Sequence, residues 1–334
     1  MSDVLSIVDT DVCPDDFALA EPEDYRFVRA FQAAGIGDFC FGYLLVYRAG
    51  LRISVLPYFT TEYQLNTLVT NVWLGRLLAP LSFKVACVGH PSTDEGRIEG
   101  EISAEILDAA NAILRGKAAA TAYKWFSHTL PLNNFVEVTG LPVNILHATP
   151  GYPASLERNR RKNVMKKLKK SAALTFIEHA PDAALSESLL HDIHRLYEAT
   201  AVRAEIHFER LNIEYFRLTA ELSTYMLAYE GERLVGFIQW LRKGRQMSGK
   251  YVGMDYSRNR QYSLYFGMVL QSVLASMRKG VHEFDLGVGS YYSKRLMGAH
   301  TLPTRLYFKH HNPLLHWLLA RCRFLLEPSA AELA

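Results

Sequence analysis

The sequence predicts an α+β fold built as two mixed halves of similar size, and three observations carry that expectation. The chain has 334 residues, 49% hydrophobic and 12% aromatic, which exceeds one ordinary domain and is rich enough to form two cores. Helix-like and strand-like patterns are grouped within each half instead of alternating strictly, which favours mixed sheets flanked by helices. Between the halves stands Thr149-Pro150-Gly151-Tyr152-Pro153, where two prolines and a glycine disfavour helix and mark a boundary. No exact internal repeat is present, so the likeness of the halves lies in element content, as an old duplication would leave it.

Taken in order, residues 1–24 form an acidic leader that lacks the basic start and long apolar core of a secretory signal. In the first domain, 25–149, the stretch FGYLLVYRAGLRISVLPYF reads as two alternating strands turning at Ala49-Gly50. Helical patterns follow at 62–78 and 103–117, and strands in AATAYKWF and FVEVTGLPVNILHA. The second domain, 150–312, opens with a basic helix over 154–171, then a strand (ALTFIEH), a helix over 185–201 and a helical stretch near 209–220. The run TYMLAYEGERLVGFIQWLRKGRQMSGKYVGMD reads as three antiparallel strands turning at Glu230-Gly231-Glu232 and Lys243-Gly244-Arg245. A long helix over 262–279 stops at Gly280 and leads into the strand HEFDLG. Residues 313–334 form a terminal helix and tail. Its apolar run PLLHWLLARCRFLL carries two arginines and is too short to span a bilayer; packing on the core is the first expectation, peripheral membrane contact the alternative.

The formal net charge is +3, from 37 Lys and Arg against 34 Asp and Glu, so no global field selects nucleic acid or membrane. Cys13, Cys40, Cys87 and Cys322 lie far apart with no CxxC and no Cys/His ligand spacing, which disfavours zinc and disulfides and points to a reducing cytoplasm. In VGHPSTDEGRIEGE (88–101), His90, Asp94, Glu95 and Glu99 fit no standard metal-ligand pattern, and the glycines indicate an ordered loop. No metal is expected.

Two stretches are chemically conspicuous. FDLGVGSYYSKRLMGAH (284–300) leaves an apolar strand through Gly287 and Gly289 and reaches Tyr291, Tyr292, Lys294 and Arg295 at once. RNRRKNVMKKLKK (158–170) holds eight Lys and Arg and no acid, with Val164, Met165, Leu168 and Ala172 as an apolar stripe. Such a face either tracks phosphates of tRNA or anionic lipid or is simply solvated. Asp285 and Asp255 stand on strands near Tyr251. A carboxylate at an apolar sheet edge can carry a raised pKa and take a proton from an amine, and a buried aspartate bonded to backbone is the equal alternative.

The run from LAYEGERLVGFIQW through SLYFGMVLQSVLASMRKG to FDLGVGSYYSKRLMG resembles the C-terminal domain of GCN5-related N-acyltransferase (GNAT) fold proteins. More narrowly it resembles the FemAB-like and BioF2-like acyltransferase group, in which two such domains are fused; the likeness covers 154–312 well and 25–148 in outline. The resemblance implies that the strand after the long helix splays from its neighbour and opens a cleft for the acyl donor. Gly287 and Gly289 would allow the turn and the close approach of a ligand. Lys294, at the position of the FemAB-like lysine, and Arg295 would stand where charge develops on the carbonyl or where donor phosphates lie. Asp285 would be the base, with Tyr251 beside it on the sheet. His90 and Tyr292 would contact the acceptor, His90 from a loop bordering a cleft between the domains.

Acetyltransferases of this fold hold the coenzyme A pyrophosphate with a glycine-rich loop opening the long helix. This chain has Arg258, Arg260, Gln261 and a capping Ser263 there instead. The expected activity is acyl transfer from a thioester, acyl-CoA or acyl-carrier-protein phosphopantetheine as co-substrate, to an amine by direct attack, with no tightly bound cofactor. The alternatives are an aminoacyl-tRNA-dependent Fem-like peptidyl transferase, although no long heptad segment supplies a coiled-coil arm, and a non-catalytic GNAT-fold binding module.

Overall fold

Ala49 and Gly50 both hold positive φ, +50° and +81°, the backbone that a two-residue turn between right-twisted strands requires. They join two strands in the computed structural model, which describes residues 4–64, 82–203, 209–325, 327–328 and 333. Two compact units emerge. The first gathers Met1–Ala18, Gly37–Pro142 and Pro303–Leu333, the second Leu19–Ile36 and Val143–Leu302.

In the first unit, β1 (Leu5–Thr10), β2 (Cys40–Arg48), β3 (Leu51–Gln64), β4 (Ser82–Val88), β5 (Glu99–Gly100), β6 (Ala120–Phe126) and β7 (Val136–Thr139) share one sheet with the late strand Arg305–His310. The order is β1-β2-β3-β4-β6-(Arg305–His310)-β7, with β5 beside β3. Neighbours are antiparallel except β4 and β6, which run parallel because the helix Ala104–Arg115 carries the chain back between them. Ser103 caps that helix through the Ile106 N–H, and its buried Ile106, Leu107, Ala110 and Leu114 pack on Leu44, Leu56, Tyr123 and Phe126.

The second sheet runs β14-β8-β13-β12-β11-β10-β9, from β8 (Val143–His147), β9 (Thr175–His179), β10 (Ser223–Glu230), β11 (Arg233–Lys243), β12 (Gln246–Met254), β13 (Glu283–Asp285) and β14 (His300–Leu302). Again one pair is parallel, β12 with β13, across the helix Leu264–Met277. Leu264, Met268, Val269, Leu270 and Val273 bury that helix on Met226, Val235, Trp240, Met247 and Phe284. A Cβ on Gly267 would stand 2.7 Å from the Ser171 Cβ, so the glycine admits the helix Arg158–Ser171 close against it. Mixed sheets flanked by helices are thus present in both units, as the sequence predicts.

Several expectations need revision. Residues 1–24 are more than a leader: β1 pairs with β2 from Leu5↔Arg48 to Thr10↔Tyr43. Tyr25–Ala33 is a helix whose Phe27 and Phe31 pack edge-on to Tyr215 in the second unit, so it does not belong with 37–142. The division expected at 149/150 falls after β8, whose strand pairs with β13 and β14 in the second sheet; the compact unit therefore begins at Val143. Likewise the division expected at 312 falls after the strand Arg305–His310, which belongs to the first sheet. The helical pattern at 62–78 begins inside β3, and 65–81 lies outside the described residues. The helix expected over 262–279 is present as Leu264–Met277, and a short helix outside that expectation, Tyr256–Tyr262, precedes it across Ser263 at φ +53°. Among the described residues no helix is long and apolar enough to cross a membrane, and no disulfide joins any two of the four cysteines.

Candidate active site

β12 and β13 pair in parallel only from Gln246↔Glu283 to Ser248↔Asp285. β12 then continues to Met254, bonded on its other side to β11. Among the described residues no strand replaces β13 beside Gly249–Met254. An open strand edge presents alternating N–H and C=O groups, which an extended ligand with amides can meet as a further strand would.

Where β13 ends, the chain turns through Gly287 (φ +73°), Gly289 (φ +72°) and Ser290 (φ +48°). A Cβ at Gly289 would meet nothing within 4 Å, so that glycine is there for its backbone conformation. The Gly287 N–H donates to Asp285 Oδ1 at 2.7 Å. Its carbonyl accepts from Asn144 Nδ2 at 2.8 Å, from the Asn144 N–H at 3.1 Å and from Lys294 Nζ at 3.0 Å. Lys294 also donates to the Val288 carbonyl at 2.8 Å, and only 3% of the residue is exposed. Asp285, Gly287 and Lys294 are therefore one bonded cluster; the buried ammonium is stabilised by carbonyl oxygens and fixes the loop. Tyr292 and Arg295 lie exposed on the adjoining short helix Tyr291–Leu296.

Along β12 the register against β11 shifts between Ile238↔Val252 and Trp240↔Gly249, and this bulge interrupts the alternation so that Lys250 and Tyr251 both lie toward Tyr215 and Phe27. The Tyr251 hydroxyl donates to Glu209 Oε1 at 3.0 Å, and its ring meets Tyr215 and Tyr197 edge-on at 5.3 and 5.9 Å. Burial first, then the Glu209 carboxylate, pushes this phenol well above its usual range, so it stays protonated near neutrality. On the same side, Glu23 accepts from Ser248 Oγ at 2.6 Å and from Lys250 Nζ at 3.0 Å. The Lys250 side chain is 2% exposed and its ammonium lies 5.3 Å from the Phe27 ring centroid. Burial alone would raise the Glu23 pKa; the charge of Lys250 and the bonds from Ser248 and Lys250 outweigh it and hold the carboxyl below its usual range.

The sequence reading missed Glu23, Lys250 and Asn144. Lys250 interrupts a glycine-flanked apolar strand (GKYVG) and Asn144 an apolar one (VNILH), which are signals of a paired buried polar group. Glu23, among other acids, had none.

The stretch expected to hold donor phosphates is largely bonded within itself. Asp255 caps Tyr256–Tyr262 through the Ser257 N–H at 3.0 Å and pairs with Arg233 at 2.9 Å. Arg258 Nε lies 3.1 Å from Glu230 Oε2, and the Tyr262 hydroxyl donates to Glu230 Oε1 at 2.7 Å. Ser263 is buried and makes no side-chain capping bond; instead Asn259 Oδ1 accepts the Tyr265 N–H at 3.2 Å. The capping role expected of Ser263 thus falls to Asn259, because a left-handed Ser263 does not present the extended backbone of an N-cap. Arg260 and Gln261 are exposed.

His90 belongs to the first unit. It is buried, stacks on Phe41 with centroids 5.4 Å apart, and accepts the Ser92 N–H at Nδ1. Among the described residues no group of three or more His, Cys, Asp or Glu is placed to hold a metal ion. In the basic helix Arg158–Ser171, Val164 is buried and Leu168 half-buried, while Met165 is exposed. Lys162, Lys166, Lys169 and Lys170 are exposed and have no carboxylate partner among the described residues. Lys167 lies over the Phe266 ring at 4.8 Å, near the start of Leu264–Met277.

In the second unit a mixed sheet has one parallel pair that brackets a helix and ends at Ser248↔Asp285. Residues 158–295 match the family model described as an acetyltransferase (GNAT) domain. The chain as a whole has the GNAT/FemAB-like fold, two GNAT-like domains fused. L-PGS from Bacillus licheniformis is similar over 90% of this chain and 96% of its own, with a TM-score of 0.55 at 10% identity. FemX is similar over 89% and 93%, with a TM-score of 0.53 at 11% identity. A tandem GNAT protein from the clavulanic acid biosynthesis pathway is similar over 86% and 88%, with a TM-score of 0.51 at 11% identity. At such identities the likeness is one of fold. No curated protein matches the chain in sequence.

Proposed function

We propose that the second unit transfers an acyl group from a thioester, acyl-CoA or acyl-carrier-protein phosphopantetheine, to an amine. The observation that supports this reading best is the edge of β12 from Gly249 to Gly253 beyond the last parallel pair, which no described strand covers; at Met254 the N–H is taken by Thr200 Oγ1 at 3.2 Å. A pantetheine arm carries two amides in an extended chain, and such an edge offers both donors and acceptors to them. The amine nitrogen attacks the thioester carbonyl carbon, the carbon–sulfur bond breaks, and the amine's proton leaves. Asp285 is the candidate acceptor of that proton; Tyr251, which stays protonated, is the candidate donor to the departing thiolate. Lys294 acts on the reaction through the 287–289 loop that it holds, and Arg260, with Arg258, is the candidate contact for donor phosphates.

The basic helix favours a second reading, an aminoacyl-tRNA donor, because its exposed lysines form a surface without acids that suits a polyanion. The similarity in fold to FemX leans the same way. The readings separate by mass spectrometry of small molecules and RNA retained by the purified full chain, followed by turnover assays with acyl-CoA, acyl-carrier protein and charged tRNA. Binding and turnover with a thioester support the first reading. Turnover with charged tRNA alone replaces it by the second, and no turnover with any donor leaves a binding module.

A further inference from the structure

Large apolar side chains are exposed unusually densely at one place in the first unit. Leu314 (66%), Leu315, Trp317 (53%) and Leu318 on the helix Pro313–Arg321, and Phe324 just beyond it, all face solvent, and the helix buries no residue fully. Leu314, Trp317, Leu318 and Arg321 recur at i, i+3, i+4 and i+7, which puts them on one face. The other side is anchored: Leu319 packs beside Phe308, His316 Nδ1 accepts the His310 N–H at 3.3 Å, and Asn312 caps the first turn. The helix is thus held firmly while its second apolar face remains outside.

We propose that this face docks in the plane of an anionic lipid bilayer. From Arg305 to Leu326 the sequence has no Asp or Glu, whereas Lys309, Arg321 and Arg323 lie on or beside the helix. The Arg321 guanidinium stands 5.3 Å from the Trp317 ring centroid, so the cation borders the apolar face directly. Leucines for the acyl boundary, a tryptophan for the headgroup level and flanking arginines for anionic headgroups are the three elements of an interfacial helix. Nine residues cannot span the hydrocarbon, which leaves the in-plane orientation.

The test uses the full chain and sonicated vesicles of phosphatidylcholine with and without phosphatidylglycerol. Sedimentation should show binding to the phosphatidylglycerol vesicles at low salt, at least tenfold weaker binding to pure phosphatidylcholine, and a marked loss as salt rises. Leu314→Glu with Leu318→Glu should reduce binding at least tenfold while the circular dichroism spectrum and Tm stay unchanged, since both side chains are already exposed. Should that variant unfold, quenching by brominated lipid decides: the wild type should lose fluorescence on binding and Trp317→Phe should lose much less. Absence of binding to phosphatidylglycerol vesicles overturns the proposal. So does equal binding by the folded glutamate variant, or a dimer in light scattering that Leu318→Glu dissolves.

Discussion

Each unit contains one parallel strand pair bracketing a helix, and the two pairs end differently. In the first, β4 and β6 pair from Val85↔Ala120 to Val88↔Tyr123, the last residue of β4. The loop that follows folds back over β6: the Gly96 N–H donates to the Trp125 carbonyl at 3.0 Å, and a Cβ on Gly96 would collide with the Lys124 carbonyl. Lys124, buried, donates to the carbonyls of His90, Pro91 and Thr93 at 3.3, 2.6 and 3.0 Å, and so locks that loop. In the second, pairing stops at Ser248 and β12 runs on with an open edge, while Lys294 locks the loop after β13 instead. Both units use a buried lysine to satisfy loop carbonyls. One closes its strand pair with the loop; the other leaves an edge that no described strand covers, where the proposed transfer would take place.

The comparison breaks most readily at the second unit's buried ion pair. Lys250→Met leaves the Glu23 carboxylate buried without its cation and should cost about 3–5 kcal/mol in urea unfolding. A loss below 1 kcal/mol would mean that the open edge does not depend on this pair. Lys124→Met strips three carbonyls of their donor and should cost about 3 kcal/mol. In the folded fraction it should leave the turnover number unchanged, because the proposed transfer belongs to the second unit.

Lys294→Met sharpens the contrast. Its stability cost should be smaller, about 2 kcal/mol for two carbonyls. Its turnover number should nevertheless fall roughly 10²-fold, on the scale of one lost preorganised group. Equal turnover in a variant with a native circular dichroism spectrum would remove the loop from the mechanism.

A smaller effect is read against pH. The folded Glu23 carboxyl lies below its ordinary value of 4.5, so its stabilisation is present above that value and is lost as the pH falls through the folded one. Glu23→Gln should therefore lower stability at pH 7 and narrow its gap to the wild type as urea midpoints are followed from pH 5 to pH 3. A gap independent of pH would show that the charge contributes nothing. Smallest of all, Arg260→Ala should weaken donor binding by only a few-fold in calorimetry and leave Tm unchanged, since its side chain is exposed.

Much of the fold was legible because its signals are local. Strand alternation, the turns at Ala49-Gly50, Glu230-Gly231-Glu232 and Lys243-Gly244-Arg245, and the Ser103 cap each depend on a few consecutive residues. Of the candidate site, the 285–295 cluster was legible for the same reason: Asp285, Gly287 and Lys294 are neighbours in sequence as well as in space. The break at Ser263 was not, because a single residue of ordinary composition adopts the left-handed region there.

By itself, then, the sequence determined most of the strands and helices of 40–60 and 154–285, since periods of 2 and 3.6 residues and turn chemistry operate over a few positions, while β1, Tyr25–Ala33 and Arg305–His310 escaped it. Only the tertiary structure decided which segments share a core. Glu23 meets Lys250 across 227 residues of chain, the helix Tyr25–Ala33 joins the second unit, and Arg305–His310 joins the first sheet. It also decided that one parallel pair is closed and the other open. Both outcomes depend on pairing and packing between distant segments, whose free energy comes from contacts that no local pattern encodes.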